Sequence, residues 1–196
     1  MLRSPRVALA LTVLLSLAGT APLSAQSHGS QPPAPAAAPQ PAQTLVNTAV
    51  ATAEAQRKNV LVYFSASWCG WCHRFATFLA SPDAGKLMHD NFVIVRLDAL
   101  ESKDKAAQEN PGADDLLKKM SGGVPTGIPF YFVLDGSGKK IGDSLIMPGH
   151  GNVGHPAEPD EVVAFVKQLE TIAPRMTPAQ RKEIGAYLDE MAGRKG

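Results

Sequence analysis

Cys69 and Cys72 are the only cysteines in the chain, two residues apart in the stretch Trp68-Cys69-Gly70-Trp71-Cys72-His73. That spacing lets two sulfurs meet across the first turn of a helix, where a dithiol and a disulfide interconvert. A helix starting here offers free amides and the positive end of its dipole to a thiolate on Cys69. Cys69 is therefore the expected nucleophile, and Cys72, one turn further in, the resolving thiol. A permanent structural disulfide is the bland alternative, but it would close too short a loop to restrict the unfolded chain much. Cys-x-x-Cys-His is also the pattern for covalent c-type haem attachment. Haem attachment would not call for the flanking strand or the tryptophans, and no cofactor is expected.

Other residues gather around this pair. Trp71, between the cysteines, is expected to be exposed and well placed to lie against a peptide or unfolded substrate. His73 is expected on the helix surface, close enough to lend positive charge to Cys69. About sixty residues later, Thr126-Gly127-Ile128-Pro129 runs straight into the apolar stretch FYFVL. Proline at a strand start is compatible with a cis peptide after Ile128, which would turn the preceding backbone toward the cysteines for a substrate chain to pair with. His150 and His155 share a glycine-rich loop with Asn152. Lacking a third ligand, they are expected to be solvated, and no metal site is assigned.

The elements that must position these residues follow from periodicity. Thr44 to Lys58 carries Leu45, Val46, Ala49, Val50 and Ala53 at helical spacing, predicting a helix that lies against a sheet. Val60–Phe64 and Phe92–Leu97 read as strands buried on both faces, with a helix from near Cys69 and a further turn through Met88 between them, a parallel crossover unit. Ala113–Met120 is a short helix. The strand Phe130–Leu134 turns through Asp135–Gly138 into Lys139–Leu145, a connection too short for anything but an antiparallel hairpin, so the sheet is mixed. Met147–Pro159 is too rich in glycine and proline for regular structure and is predicted as a long surface loop that helps shape a substrate groove. A helix over Asp160–Ile172 shows Val162, Val163, Phe165, Val166 and Leu169 as its apolar stripe. Thr177, Pro178 and Gln180 specify the start of a last helix, whose apolar residues Ile184, Tyr187, Leu188 and Met191 are expected to pack on the domain.

Composition sets the outer bounds. The chain has 196 residues, 44% of them hydrophobic, enough for one domain core, and a formal net charge of +1, which gives no footprint for nucleic acid. Arg3 and Arg6 precede an apolar run from Val7 to Leu17 that ends in small residues through Ala25. Residues 1–25 thus read as a secretory signal peptide, too short in its apolar part to span a membrane. Export places the cysteines where disulfides persist and predicts a periplasmic or secreted protein. Residues 26–43, with five prolines and no charged side chain, read as a flexible linker, leaving 44–196 as the folded domain with a C-terminal helical extension. A monomer is expected.

Taken together, cysteines at a strand-to-helix turn, a later Ile-Pro ahead of a hairpin, and a closing helix resemble the thioredoxin superfamily over roughly Thr44 to Ile172. The resemblance implies an α/β fold with a central mixed sheet flanked by helices. It assigns Cys69 and Cys72 as attacking and resolving cysteines and Pro129 as the cis-proline. It also implies that Trp68, Gly70, Trp71, Ile128 and Pro129 contact substrate. Two departures stand out. The position six residues before Cys69, an acid in thioredoxins proper, is Tyr63, so the usual proton acceptor is missing, while the family's basic residue of the next strand falls on Arg96. The dipeptide between the cysteines is Gly-Trp, closer to the varied thioredoxin-like proteins exported by bacteria. The implied activity is thiol:disulfide exchange with protein substrates, expected in the reducing direction and fed by a membrane electron donor. The alternative is a thioredoxin-fold binding module or metal-assembly chaperone without turnover.

Overall fold

The computed structural model describes residues 37–194. The signal-peptide segment and most of the proposed linker lie outside the described residues. Helix α1 spans Ala42–Gln56, two residues earlier than the periodicity predicts. Ala42 is buried and its amide donates to Pro111 O at 2.9 Å, while Gln40 O accepts from Asn110 Nδ2. The last residues of the linker stretch are thus docked on the domain.

Strand β1 (Asn59–Ser65) lies at the centre of a four-stranded sheet, paired in parallel with β2 (Phe92–Asp98) and antiparallel with β3 (Tyr131–Leu134). β4 (Lys140–Asp143) completes the hairpin with β3, giving the order β2-β1-β3-β4, the mixed sheet that the crossover and the short turn require. The turn is held by Asp135, whose Oδ1 accepts from the Ser137 and Lys139 amides, and by Gly138 at a φ of 84°.

Alternation along the strands divides the apolar residues between two cores. Val60, Val62, Phe64, Phe132 and Leu134 face α1 and α4 (Ala113–Met120). Leu61, Tyr63, Tyr131 and Val133 face four helices: α2 (Gly70–Leu79), α3 (Ala84–Asn91), α5 (Pro159–Ile172) and α6 (Pro178–Met191). This second core is dense in aromatics. Phe75 stacks on Tyr131 at 5.9 Å, and Phe78 meets Phe165 edge to face at 6.1 Å. Each such ring, fully buried, contributes about 2–3 kcal/mol of transfer free energy.

Polar pins fix the helices to the sheet. Tyr131 Oη donates to Gln168 Oε1 at 2.7 Å, Gln168 Nε2 donates to Asp143 O, and Asn59 Nδ2 donates to Ile172 O. Ser81 stands between α2 and α3, donating to Phe78 O and accepting from the Gly85 amide. Gly85 is required there, since a Cβ would lie 2.4 Å from Leu79 O. On α5 the predicted stripe is one residue too wide. Val162, Phe165 and Leu169 are buried, but Val163 is 68% exposed because it falls on the opposite side of the helix from Phe165. α6 starts at the expected capping box of Thr177 and Gln180 and buries Ile184 and Leu188 against α5 and α3, with Tyr187 and Met191 at the margin. Among the described residues, no helix is long and apolar enough to cross a membrane.

Candidate active site

β1 ends at Ser65 and α2 begins at Gly70, so the cysteines sit where a buried strand turns into a helix N-terminus. Cys69 is the N-cap residue, and its Sγ accepts from the Cys72 amide at 3.1 Å, the position a thiolate would occupy to gain the helix N-terminus. Cys69 and Cys72 form a disulfide with an S–S distance of 2.07 Å and a Cα–Cα distance of 5.2 Å. Cys72 is fully buried and Cys69 nearly so. Cys69 Sγ lies 3.4 Å from Ile128 O and Cys72 Sγ 3.9 Å from Phe64 O, carbonyls that become acceptors once the thiols are formed.

All seven sequence-assigned site residues converge at this end of the sheet. The Ile128–Pro129 peptide is cis, and Ile128 packs on the small cluster of Ala66, Cys69 and Cys72. Trp68 and Trp71 flank the disulfide, 59% and 51% exposed. The Trp68 indole N–H donates to Leu100 O at 2.7 Å, and the Arg74 guanidinium sits 5.3 Å above the Trp71 ring. Gly70 has open space around it, so its lack of a side chain is not forced by packing. His73 is exposed on α2.

The departures at Tyr63 and Arg96 acquire a physical meaning. Tyr63 is buried edge-on against Phe75 at 5.3 Å, and burial raises its phenol pKa, so it remains protonated at neutral pH and takes up no proton from Cys72. Arg96, opposite Tyr63 in the β1–β2 register, points its guanidinium at Asp98, 2.6 Å away.

Residues outside the motif complete the site. Glu101, after β2, accepts from the Ser67 amide at 2.6 Å and the Ser67 hydroxyl at 2.8 Å, and Lys105 Nζ donates to the same hydroxyl. This brace fixes the backbone immediately before Trp68. Across the disulfide, Asn152, Gly154 and His155 form the other wall. The predicted surface loop is corrected here: Val153 through Pro156 are buried, since the loop folds back over Pro129. His155 is only 6% exposed, its ring 6.0 Å from Trp71 and 6.2 Å from Phe75. Burial, reinforced by Arg74 and opposed by Glu161, lowers its pKa to about 4, so it is neutral, and its Nδ1 has no partner. His150 by contrast is exposed, as expected. Among the described residues no group of three or more metal-ligating side chains is present. Trp71, Ile128, Pro129, Asn152 and His155 line a groove of about 420 Å³ beside the disulfide, with Glu158 and Glu161 at its border. Nothing in the sequence marks the roles of Glu101 and Asn152, because the backbone that each holds beside the disulfide lies 23 or more residues away.

Residues 42–136 match the family described as Thioredoxin-like. A protein disulfide-isomerase of Hordeum vulgare is 31% identical over 125 residues, 64% of this chain and 20% of that protein, so the chain spans about a fifth of that relative's length. Among solved structures, a disulphide isomerase from Xylella fastidiosa Temecula1 is 19% identical, with a TM-score of 0.45 over 76% of this chain and 90% of that one. A DsbH oxidoreductase is 20% identical, with a TM-score of 0.43 over 77% of this chain and 95% of that one. With a disulfide at the strand-to-helix turn, a mixed sheet flanked by helices and a family match across 42–136, that part of the chain is a thioredoxin-like domain.

Proposed function

We propose that the chain is an exported thiol:disulfide oxidoreductase that reduces disulfides in protein substrates. The observation that carries this reading is the Cys69–Cys72 disulfide at the α2 N-terminus, beside the Ile128–Pro129 segment and an open groove. In the reduced enzyme the Cys69 thiolate attacks one sulfur of a substrate disulfide, forming a mixed disulfide and releasing the other sulfur as a thiolate. The Cys72 thiolate then attacks Cys69 Sγ, which frees the second substrate thiolate and regenerates the Cys69–Cys72 bond. Two electrons pass to the substrate, and its two thiolates take up protons. An electron donor, expected at the membrane, must then return the pair to the dithiol.

The reducing direction is supported by how little surrounds the sulfurs to favour the thiolate. One amide contacts Cys69 Sγ, Arg96 is turned to Asp98, and His73 is exposed. A weakly stabilised thiolate places the pair near the reducing end of the family's range, about −270 mV, rather than the oxidising end, about −120 mV. Ile128, Pro129, Trp68, Gly70 and Trp71 contact substrate in this reading. The binding-module alternative is favoured by one feature, Tyr63 in place of a proton-accepting acid.

Equilibration of the purified protein with dithiothreitol or glutathione buffers, read by thiol alkylation and intact mass, tests the proposal. The expected potential lies within roughly 30 mV of −270 mV, and Cys72→Ser is expected to accumulate mixed disulfides with substrate. A potential near −120 mV would make the protein an oxidant, and failure of the pair to cycle would leave the binding module.

A further inference from the structure

We propose that Asn152 is a positioning residue that presents the Ile128 backbone to an extended polypeptide substrate, an inference that rests on the oxidoreductase reading above. Asn152 Nδ2 donates to Gly127 O at 2.8 Å and to Pro129 O at 2.9 Å, the carbonyls on either side of Ile128. Its Oδ1 accepts from the Gly154 amide at 3.1 Å, and this third bond decides which end of the amide faces the carbonyls. One side chain therefore occupies both acceptors flanking the residue nearest the disulfide.

What Asn152 leaves open is as informative as what it binds. The Ile128 N–H has no partner among the described residues, and Ile128 O faces Cys69 Sγ. An extended chain pairing with Ile128 lays its own cysteine beside Cys69, and two backbone hydrogen bonds of this kind require the Ile128 peptide planes to be held in place.

Asn152 is itself anchored to the sheet. The Val153 amide donates to Ser144 O, and Ser144 exchanges bonds with β3 through its own amide to Tyr131 O and the Tyr131 amide to its hydroxyl. Gly154 presses the same segment against Pro129, where a Cβ would lie 2.2 Å from Pro129 O. Asn152 thus transfers the rigidity of β3 to a segment that has no strand partner of its own.

The test compares two substrates of the full protein: a peptide disulfide with several residues on each side of its cysteine, and hydroxyethyl disulfide, which has no peptide backbone. In Asn152→Ala and Asn152→Asp, KM for the peptide disulfide is expected to rise roughly tenfold while kcat changes far less, with Asp the more damaging because it sets a carboxylate against two carbonyls. Hydroxyethyl disulfide turnover is expected to fall by no more than about twofold. Parallel losses on both substrates, or no loss on either, would overturn the assignment. Should either variant unfold, the Ile128 amide resonance of the wild-type protein provides the second measurement. It is expected to shift on binding the peptide and not hydroxyethyl disulfide, and no peptide-induced shift would equally overturn the assignment. A wild-type protein inactive on both substrates would instead refute the oxidoreductase reading.

Discussion

The two walls of the active site solve the same problem by different means. On one side, Ser67 and Trp68 are fixed by Glu101, Lys105 and Leu100 in a partly exposed setting, where a carboxylate accepts both of Ser67's donors. On the other, Pro129 is fixed by Asn152 and Gly154, with a neutral amide and close backbone contact replacing charge. The wall near water can rely on charge-assisted bonds because solvent helps satisfy the groups left over. The buried stretch Val153–Pro156 of the other wall has no such help and depends on fit. Tolerance to change should therefore be unequal.

The sharpest break in that comparison is Gly154→Ala. The new Cβ meets a backbone carbonyl, and φ at this position is 49°, so the loop must move off Pro129. A loss of about 4 kcal/mol is expected, checked by urea unfolding of the oxidised protein. Loss of less than about 1 kcal/mol would mean that the wall gives easily.

Acid should damage the same wall next. His155 has a pKa near 4 in the folded protein against about 6.5 in the unfolded chain, so between those values the unfolded state binds the extra proton. Stability is therefore full above about pH 6.5 and declines as pH falls toward 4, by up to about 3 kcal/mol. Arg74 opposes the charge and Glu161 favours it, both facing the ring. His155→Phe is expected to flatten this part of the pH–stability curve, and an unchanged slope would assign the acid loss elsewhere.

The smallest effect belongs to the wet wall. Glu101→Gln keeps one acceptor for Ser67 but loses the charge, and is expected to cost about 1–2 kcal/mol, a Tm lowering of roughly 3–6 °C in thermal unfolding. If it cost as much as Gly154→Ala, the distinction between the walls would collapse.

The same contrast explains what was legible in the sequence. The Cys69–Cys72 turn, the crossover and the hairpin are local or topological features, set by spacing, periodicity and connection length, and they appear where expected. The start of α6 was readable for the same reason, its capping box being contained in four residues. The stripe on α5 was blurred because Val162 and Val163 are both valines and only one can face the core. Within Met147–Pro159 only Val153–Pro156 departs from the surface loop expected, because glycine and proline erase periodicity and the burial of this stretch comes from contact with Pro129, whose position depends on the whole sheet. Tyr63 was visible as a missing acid, but that it fills the space with an aromatic ring against Phe75 is a fact of packing.

Trp68 and Trp71 are the chain's two tryptophans, and they bracket the disulfide. Every indole in the molecule thus lies beside the bond that changes during exchange, and a disulfide quenches nearby indole emission more strongly than a dithiol does. The intrinsic fluorescence of this protein is accordingly a built-in gauge of its redox state, with no distant tryptophan to dilute the signal.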